Sequence, residues 1–279
     1  MTVESNWQKE LAMSFSDPVL LLKYLELPLE DFTDDIKARQ LFPMRVPRPF
    51  AARMQKGNPL DPLFMQVFTS RKEFDTAQGF STDPLQEQNN KQSGILHKYH
   101  NRLLLLVRGG CAVNCRYCFR RHFPYSDNHL NKQQWQKALD YIVANPQIDE
   151  VIYSGGDPLM AKDDFLAWLT TQIEAIPHIK RLRIHNRLPV VIHSRITTEL
   201  ISWFTQTRLE PVMVLHVNHA NEIDTGLAKS MQKLKQAGVT LLNQAVLLKG
   251  INDTADQQIA LNEGLFEIGV MPYYLHVLD

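Results

Sequence analysis

Three cysteines, the only ones in the chain, lie within eight residues, at Cys111, Cys115 and Cys118. Spacings of four and three residues allow three thiolates to converge on one metal centre from a single tight loop. A cubane iron–sulfur cluster has four iron corners, and thiolates are its usual protein ligands. Three cysteines would hold three corners and leave one iron open for a substrate or cofactor.

Two other interpretations of these cysteines stay open at this point. His122 lies four residues after Cys118 and could complete a closed Cys₃His zinc site. The thiols could also be inert, because free cysteine is often buried as a small apolar residue. The clustering of all three favours a metal centre, and the spacing favours the open cluster over zinc.

The surrounding sequence puts the cysteines at the end of a strand. The apolar run Leu103–Val107 predicts a buried strand, which Gly109 and Gly110 end just before Cys111. A second strand, Glu150–Ser154, is followed by Gly-Gly-Asp-Pro (155–158). Glycines at a strand end allow the backbone to approach a ligand closely, although a tight turn with an aspartate helix cap explains the same residues.

Strand and helix patterns alternate from Leu103 to the end of the chain. The strand-like segments are Leu103–Val107, Glu150–Ser154, Arg181–Ile184, Val212–Val217, a stretch within Val239–Leu248, and Val270–Val277. Helical patterns separate them, so we expect a parallel sheet with helices packed outside. Polar residues on these strands, among them His216 and Gln244, predict a polar lumen, because unpaired polar burial is costly.

The N-terminal quarter has a different pattern. Residues 1–69 predict a small helical region, 70–95 a linker, and 96–279 the α/β unit. Asp17 and Pro18 are typical of a helix start, and a further helix is expected at Asp31–Phe42. The basic residues of this region, Arg45, Arg48 and Arg53, are interpreted as solvated surface.

Composition excludes several classes of function. The 279 residues are 44% hydrophobic and 22% charged, with 30 basic and 30 acidic residues. This balance predicts no recruitment to nucleic acid or membrane. We expect no signal peptide, because the first residues are polar. Clustered cysteines without a disulfide framework fit a reducing cytoplasm.

Specific motifs carry a family resemblance. The cysteine spacing resembles the CxxxCxxC signature of radical S-adenosylmethionine (SAM) enzymes, which have a partial (β/α)₆ barrel. The order of further motifs is similar to the lysine 2,3-aminomutase family, closest to its shorter form, which makes (R)-β-lysine for modifying translation elongation factor P. These motifs are Cys-Arg-Tyr-Cys-Phe-Arg-Arg (115–121), Ser-Gly-Gly-Asp-Pro (154–158), Asn-His-Ala-Asn-Glu (218–222) and Met-Pro-Tyr-Tyr-Leu-His (271–276).

The resemblance implies cofactors and a role for each matching residue. Cys111, Cys115 and Cys118 would hold a [4Fe–4S] cluster, and SAM would contact Gly155, Gly156, Asp157, His216 and Gln244. Arg120 would bind the carboxylate of L-lysine and Asp279 its ε-ammonium group. Lys98, Tyr99 and Arg102 would lie near the phosphate of pyridoxal 5′-phosphate (PLP). A reduced flavodoxin-type protein would supply the electron, and a homo-oligomer is an open expectation.

One departure from the family pattern concerns PLP. Family members carry a Schiff-base lysine beyond the sixth strand, where this sequence stops at Asp279. Two explanations are open: a truncated form that lacks this lysine and a second acidic residue for the substrate, which we favour, or a different mode of PLP binding. Two alternatives remain: a radical SAM aminomutase for another amino acid such as glutamate, which Asp279 disfavours, and a non-catalytic zinc-stabilised binding protein.

Overall fold

Strands and helices alternate along the computed structural model, which describes residues 6–75, 81, 83–87, 94–125 and 130–277. Within these ranges the strands are β1 (Ile95–Tyr99), β2 (Arg102–Arg108), β3 (Glu150–Gly155), β4 (Arg181–Asn186), β5 (Glu210–His216), β6 (Thr240–Val246) and β7 (Met271–His276). The α-helices are α1 (Asn6–Ala12), α2 (Pro18–Tyr24), α3 (Thr33–Lys37), α4 (Arg48–Ala51), α5 (Pro62–Val67), α6 (Lys132–Val143), α7 (Asp163–Glu174), α8 (Leu188–Val191), α9 (Thr198–Thr205), α10 (Thr225–Gln236) and α11 (Ala255–Glu267). Short 3-10 helices occupy Leu29–Phe32, Ala38–Gln40, Arg71–Phe74, Pro158–Met160, His193–Arg195 and Ala220–Glu222.

The strands of the described ranges form one sheet in the order β1 to β7. Strands β2 to β7 run parallel to one another, and helical segments connect each to the next. This is the partial α/β barrel that the sequence predicts. The first strand, β1, is antiparallel to β2 and extends the sheet by one strand that the sequence analysis did not predict.

Alternation along the strands separates a helix-facing side from a lumen side. On β4, Leu182 and Ile184 are fully buried in the main apolar core, which the helices cover. Arg183 and His185 point to the opposite side, as the two-residue period of a strand requires. The lumen side of β4 therefore carries polar side chains, as predicted. Their register partners on β5, Val212 and Val214, form an apolar cluster with Leu242, so the lumen as a whole is only partly polar.

Local signals at the helix ends explain where these helices start and stop. Asn131 and Gln134 cap α6 reciprocally, each side chain accepting from the other's backbone amide. The backbone of Gly238, directly after α10, has a φ of +86°. A glycine adopts this left-handed conformation without a side-chain penalty, so the helix ends there.

The N-terminal region packs onto the barrel through its own apolar residues. Phe15, Phe50 and Phe64 belong to the same core cluster as the barrel residues. Asp17 caps α2 by accepting from the Val19 amide, which confirms the predicted helix start. The predicted helix over Asp31–Phe42 is wrong as a continuous element, because short 3-10 and α-helical pieces replace it.

The last strand differs from the others in its exposure. Tyr273, Tyr274 and Leu275 are each about half exposed, whereas the inner strands are largely buried.

In the part of the chain that the structure describes, no helix has the length and apolar character that a membrane crossing requires.

Candidate active site

The cysteine loop begins where β2 ends and is held against Gly156 and Asp157, which follow β3. The Gly156 amide donates to the Arg108 carbonyl at 2.7 Å, and the Asp157 amide to the Gly110 carbonyl at 3.0 Å. A Cβ atom on Gly156 would lie 2.7 Å from the Gly109 carbonyl oxygen. Only glycine allows this approach of two backbones, so the Gly-Gly-Asp segment supports the start of the cysteine loop.

The N-terminal region supports the same loop from the other side. The Arg45 guanidinium donates to the Cys111 carbonyl at 2.9 Å, and the Asn114 amide returns a bond to the Arg45 carbonyl at 3.1 Å. The Arg116 amide donates to the Gln66 carbonyl at 2.9 Å. The interpretation of Arg45 as solvated surface misses this contact. The same interpretation is wrong for Arg53, because its side chain is only 11% exposed and donates to the Val190 carbonyl.

The three thiols share one half-buried loop and influence one another electrostatically. Burial and the negative charge of Asp157 raise the pKa of Cys111 well above its ordinary value. Burial, reinforced by Cys115, raises the pKa of Cys118 to about 11. Such thiols ionise at neutral pH when a bound cation replaces the proton. Among the described residues, no three His, Cys, Asp or Glu side chains converge as ligands of a single ion.

Asp157 uses its carboxylate to organise the backbone. One oxygen accepts from the Leu159 amide at 3.0 Å, and the other from the amides of Arg187 and Leu188 at 2.8 and 2.7 Å. Burial raises the pKa of this carboxyl, and these hydrogen bonds oppose the rise. The side chain thus acts as the helix cap that the sequence also suggested, and its contact with SAM stays a prediction.

A buried polar cluster lies beside the cysteine loop. The Tyr117 hydroxyl lies 2.9 Å from Nε2 of His216 and accepts from Asn218 Nδ2 at 2.6 Å. The rings of Tyr117 and His216 stack with centroids 5.6 Å apart. Burial, with the positive charge of Arg187, lowers the pKa of His216 well below its ordinary value. His216 is therefore neutral at physiological pH, when it can both donate and accept.

Arg187, the first residue after β4, connects this cluster to the cysteines. Its Nη1 donates to the Cys115 sulfur at 2.9 Å and to the Tyr117 hydroxyl. Its Nη2 donates to the Gln66 side chain at 2.8 Å and to Glu222 at 3.0 Å. The sequence analysis missed Arg187, although its position at a strand end could have indicated it. Glu222 belongs to the motif 218–222, although no role was predicted for it, and Gln66 carries no sequence signal.

Arg120 lies two residues after the last cysteine and is nearly buried. Its guanidinium binds Glu87 through two bonds, Nε to Oε2 at 2.7 Å and Nη2 to Oε1 at 3.2 Å. Nη1 donates to the Ser154 hydroxyl at 3.0 Å and the Gly155 carbonyl at 3.1 Å. The predicted carboxylate-binding arginine thus has the planar, bidentate geometry that carboxylates favour. Its partner Glu87 was not predicted.

The residues predicted near the PLP phosphate lie at the turn between β1 and β2. The Arg102 guanidinium lies over the Tyr99 ring, 5.2 Å from its centroid, and its Nε is 3.9 Å from Glu150. The Lys98 ammonium is 3.3 Å from Glu87. The structure thus brings Tyr99 and Arg102 into contact, while Lys98 lies beside Glu87 instead. Their place near a PLP phosphate stays a prediction.

Basic groups line the lumen around His185. Arg183 binds Glu150 on the neighbouring strand through Nε at 2.9 Å and Nη2 at 2.8 Å. Burial lowers the pKa of His185 to about 3, and four nearby groups that lower it further are Arg183, Arg120, His276 and Arg102. These arginines are paired with carboxylates, Arg183 with Glu150 and Arg120 with Glu87, so the lumen around His185 contains ion pairs.

The remaining predicted residues have different outcomes. Gln244 is the register partner of His216 on adjacent strands, so both occupy the same level of the sheet. Asp279 lies outside the described residues. His122, the fourth ligand of the zinc alternative, is exposed four residues beyond the last cysteine.

A family model described as the radical SAM superfamily matches residues 105–199, which contain the cysteine loop and the Gly-Gly-Asp segment. A protein of Haemophilus influenzae named L-lysine 2,3-aminomutase is 60% identical over 99% of this chain and 82% of its own length. The proteins of the same name from Escherichia coli and Buchnera aphidicola are 58% and 46% identical, with 80% and 82% of their lengths covered.

The chain belongs to the L-lysine 2,3-aminomutase family. Family membership makes it an isomerase of the radical SAM type, and it implies a [4Fe–4S] cluster and SAM as cofactors. The three-thiol loop and the glycines beside it fit these groups. The family therefore favours the open cluster over a closed zinc site and over inert thiols.

Proposed function

We propose that the protein converts L-lysine to (R)-β-lysine by moving the α-amino group to Cβ, with PLP as a third cofactor. The observation that carries this proposal is the position of Arg120, whose carboxylate-binding guanidinium adjoins the three-cysteine loop in a chain of this family. We propose further that the product serves to modify elongation factor P, on the resemblance to the shorter form of the family.

The cofactors supply the difficult chemistry: when bound, the cluster and SAM provide a 5′-deoxyadenosyl radical, and PLP provides a π-system for the migrating nitrogen. The chain positions the reactants. Cys111, Cys115 and Cys118 would hold the cluster. Gly155 and Gly156 would let SAM approach the sheet, and neutral His216 with Gln244 would orient it from β5 and β6.

The substrate would be recognised at its two ends. Arg120 would bind the α-carboxylate through its planar fork, the geometry in which it now binds Glu87. Asp279 would pair with the ε-ammonium group, which distinguishes lysine from glutamate. Lys98, Tyr99 and Arg102 would hold the phosphate of PLP. Exclusion of water from the occupied lumen would protect a radical from side reactions.

The remaining proposals concern the cellular setting. A reduced flavodoxin-type protein would deliver the electron, because a radical SAM reaction needs an external donor. The reducing cytoplasm would be the working compartment, since an accessible cluster is easily oxidised. Assembly into a homo-oligomer is an open proposal that a molecular-mass measurement in solution would test.

The first experiment is anaerobic turnover of the reconstituted protein with dithionite, SAM, PLP and L-lysine. We expect β-lysine to form and SAM to be cleaved, both depending on the presence of lysine. L-Glutamate in place of lysine should give neither β-glutamate nor comparable SAM cleavage. Cys115→Ala is the matched control and should lose iron and abolish SAM cleavage.

Each other outcome has a definite meaning. SAM cleavage without β-lysine in a fully iron-loaded sample would support the radical core and reject complete aminomutase activity for this chain. Preferred turnover of glutamate would reject the proposed substrate. Unchanged SAM cleavage by Cys115→Ala would reject the assignment of the cysteines to the cluster.

A further inference from the structure

Arg187 is held in place by a buried network that leaves one of its donors for a cysteine. The side chain is 7% exposed, and Glu222, which it pairs with, is fully buried. Glu222 also accepts from the Asn218 amide at 2.9 Å, the His219 amide at 3.1 Å and Gln66 Nε2 at 3.1 Å. These bonds fix the carboxylate, and the carboxylate fixes the guanidinium.

The ion pair with Glu222 does not by itself explain how the guanidinium of Arg187 is oriented. The interactions of Arg187 with Glu222 and Gln66 use Nη2 alone. Nη1 turns the other way, to the Cys115 sulfur at 2.9 Å and the Tyr117 hydroxyl. The backbone amide of the same residue donates to Asp157 at 2.8 Å, which fixes the start of the side chain as well. The positively charged Nη1 group of Arg187 is therefore held in a fixed position from which it donates to the Cys115 sulfur.

We propose that Arg187 is a positioning residue that raises the reduction potential of the cluster by donating from Nη1 to the sulfur of Cys115. Reduction adds negative charge to the cluster and its thiolates. A hydrogen bond to a ligand sulfur, and a buried positive charge beside it, stabilise the reduced form more than the oxidised form. The proposal rests on the assignment of the cysteines to a [4Fe–4S] cluster.

The test is a redox titration of the reconstituted cluster followed by electron paramagnetic resonance, without lysine or PLP. Arg187→Gln removes the charge and should lower the midpoint potential. We expect at least a tenfold loss in the equilibrium constant for reduction, which corresponds to about 59 mV for a one-electron couple. Because no turnover is needed, this result is independent of whether the chain makes β-lysine. A potential equal to that of the wild type would overturn the proposal.

Two further variants separate the effect of the Arg187–sulfur hydrogen bond from that of the unpaired Glu222 charge and from the loss of any buried arginine. Arg187→Gln leaves the charge of Glu222 uncompensated, so the Arg187→Gln, Glu222→Gln double variant is measured too. It should keep a negative shift, since the donor to sulfur is still missing; a return to the wild-type potential would overturn the proposal. Arg195→Gln is the matched control, because Arg195 is fully buried and pairs with Asp163 at 2.8 Å. It should leave the potential unchanged, and an equal shift there would also overturn the proposal.

If Arg187→Gln does not assemble the cluster, a second variant still tests the proposal. Arg187→Lys keeps the positive charge that pairs with Glu222. Its single ammonium group cannot bind Glu222 and the Cys115 sulfur at the same time, as the two nitrogens of the guanidinium do. A smaller negative shift is expected, together with wild-type iron content. An unshifted potential, or iron loss in both variants but not in Arg195→Gln, would assign Arg187 to assembly of the site and reject the proposed effect on potential.

Discussion

At the scale of single residues, Arg120 already holds a carboxylate. Glu87 binds its guanidinium through two bonds of 2.7 and 3.2 Å and is itself 5% exposed. A substrate carboxylate needs the same two donors. Substrate binding at Arg120 therefore requires Glu87 to give up its bonds, and the internal carboxylate competes with the external one.

This competition predicts the effect of Glu87→Gln. The amide keeps the shape of the side chain but loses the charge, which weakens its bond to the guanidinium. We expect KM for lysine to fall about tenfold, equivalent to about 1.4 kcal/mol, and lysine to raise the melting temperature more than in the wild type. Steady-state kinetics and thermal unfolding with and without lysine measure both.

Asp163→Asn provides the control for this prediction. This substitution removes the charge of Asp163, the carboxylate partner of another buried arginine, Arg195. Asp163 lies far from the cysteine loop in the sequence. KM should stay at the wild-type value in this variant. An unchanged or higher KM in Glu87→Gln would mean that Glu87 assists substrate binding or that lysine binds elsewhere.

The site residues differ in how well sequence predicts them. The cysteines and the Gly-Gly-Asp segment are predictable because the chemistry and the close backbone approach lie within a few consecutive residues, whereas Arg120 is predicted only through the family resemblance. Glu87 and Arg187 are not predictable in the same way. Their roles depend on partners 33 and 72 positions away, which only the fold brings into contact.

At the scale of elements, two backbone segments meet without side chains between them. The residues after β2 and after β3 are joined by hydrogen bonds of 2.7 and 3.0 Å, and Gly156 lies against the carbonyl groups of Gly109 and Gly110. The first part of the cysteine loop thus depends on a contact with β3. A displacement at this contact would move Cys111 relative to the other two cysteines.

Gly156→Ala should therefore lower both stability and cluster content. The added methyl group would lie 2.7 and 2.8 Å from two backbone oxygens, which cannot move as a side chain does. We expect a loss of about 1–3 kcal/mol in the free energy of unfolding and substoichiometric iron after reconstitution. Urea unfolding and iron analysis test these effects.

Gly110→Ala is the matched control for this substitution. A Cβ atom on Gly110 would meet nothing within 4 Å, although the residue directly precedes Cys111. Its stability and iron content should stay close to the wild type. Equal losses in both variants would show that the cysteine loop tolerates no substitution, whatever the contact with β3.

The parallel core was predictable because its strands are apolar on both faces or alternate cleanly. The strand β1 was not. Its sequence, Ile-Leu-His-Lys-Tyr (95–99), becomes polar after two residues, and three of its side chains are exposed or half-buried. Pairing with β2 stabilises this strand, and such pairing is a tertiary effect that periodicity does not record.

At the scale of the whole molecule, the balanced total charge extends into the interior, where buried arginines such as Arg183 pair with carboxylates. His185 is surrounded by arginines of the lumen, and its pKa is lowered to about 3 from an ordinary value of 6.5. Between these values the unfolded chain binds a proton that the native protein excludes. Stability therefore falls as the pH decreases below about 6.5, and the His185 contribution is fully present above that pH.

The pH dependence can be assigned with His185→Gln. One such group changes the free energy of unfolding by at most about 1.4 kcal/mol per pH unit. Between pH 7 and pH 5, the loss of stability should be smaller in the variant than in the wild type, with a remaining slope to which His216 contributes. Urea unfolding at both pH values measures the slopes. Identical slopes would mean that His185 is protonated in the native protein.

The N-terminal helices share backbone hydrogen bonds with the cysteine loop. The amides of Asn114 and Arg116 end on carbonyl groups of Arg45 and Gln66, so neither segment can open alone. Ligands that bind the native state suppress its local opening reactions. Filling the site should therefore slow amide hydrogen exchange at Asn114 and Arg116 and along α5 together. The helices at the start of the chain would report, in deuterium uptake, whether a site more than forty residues away is loaded.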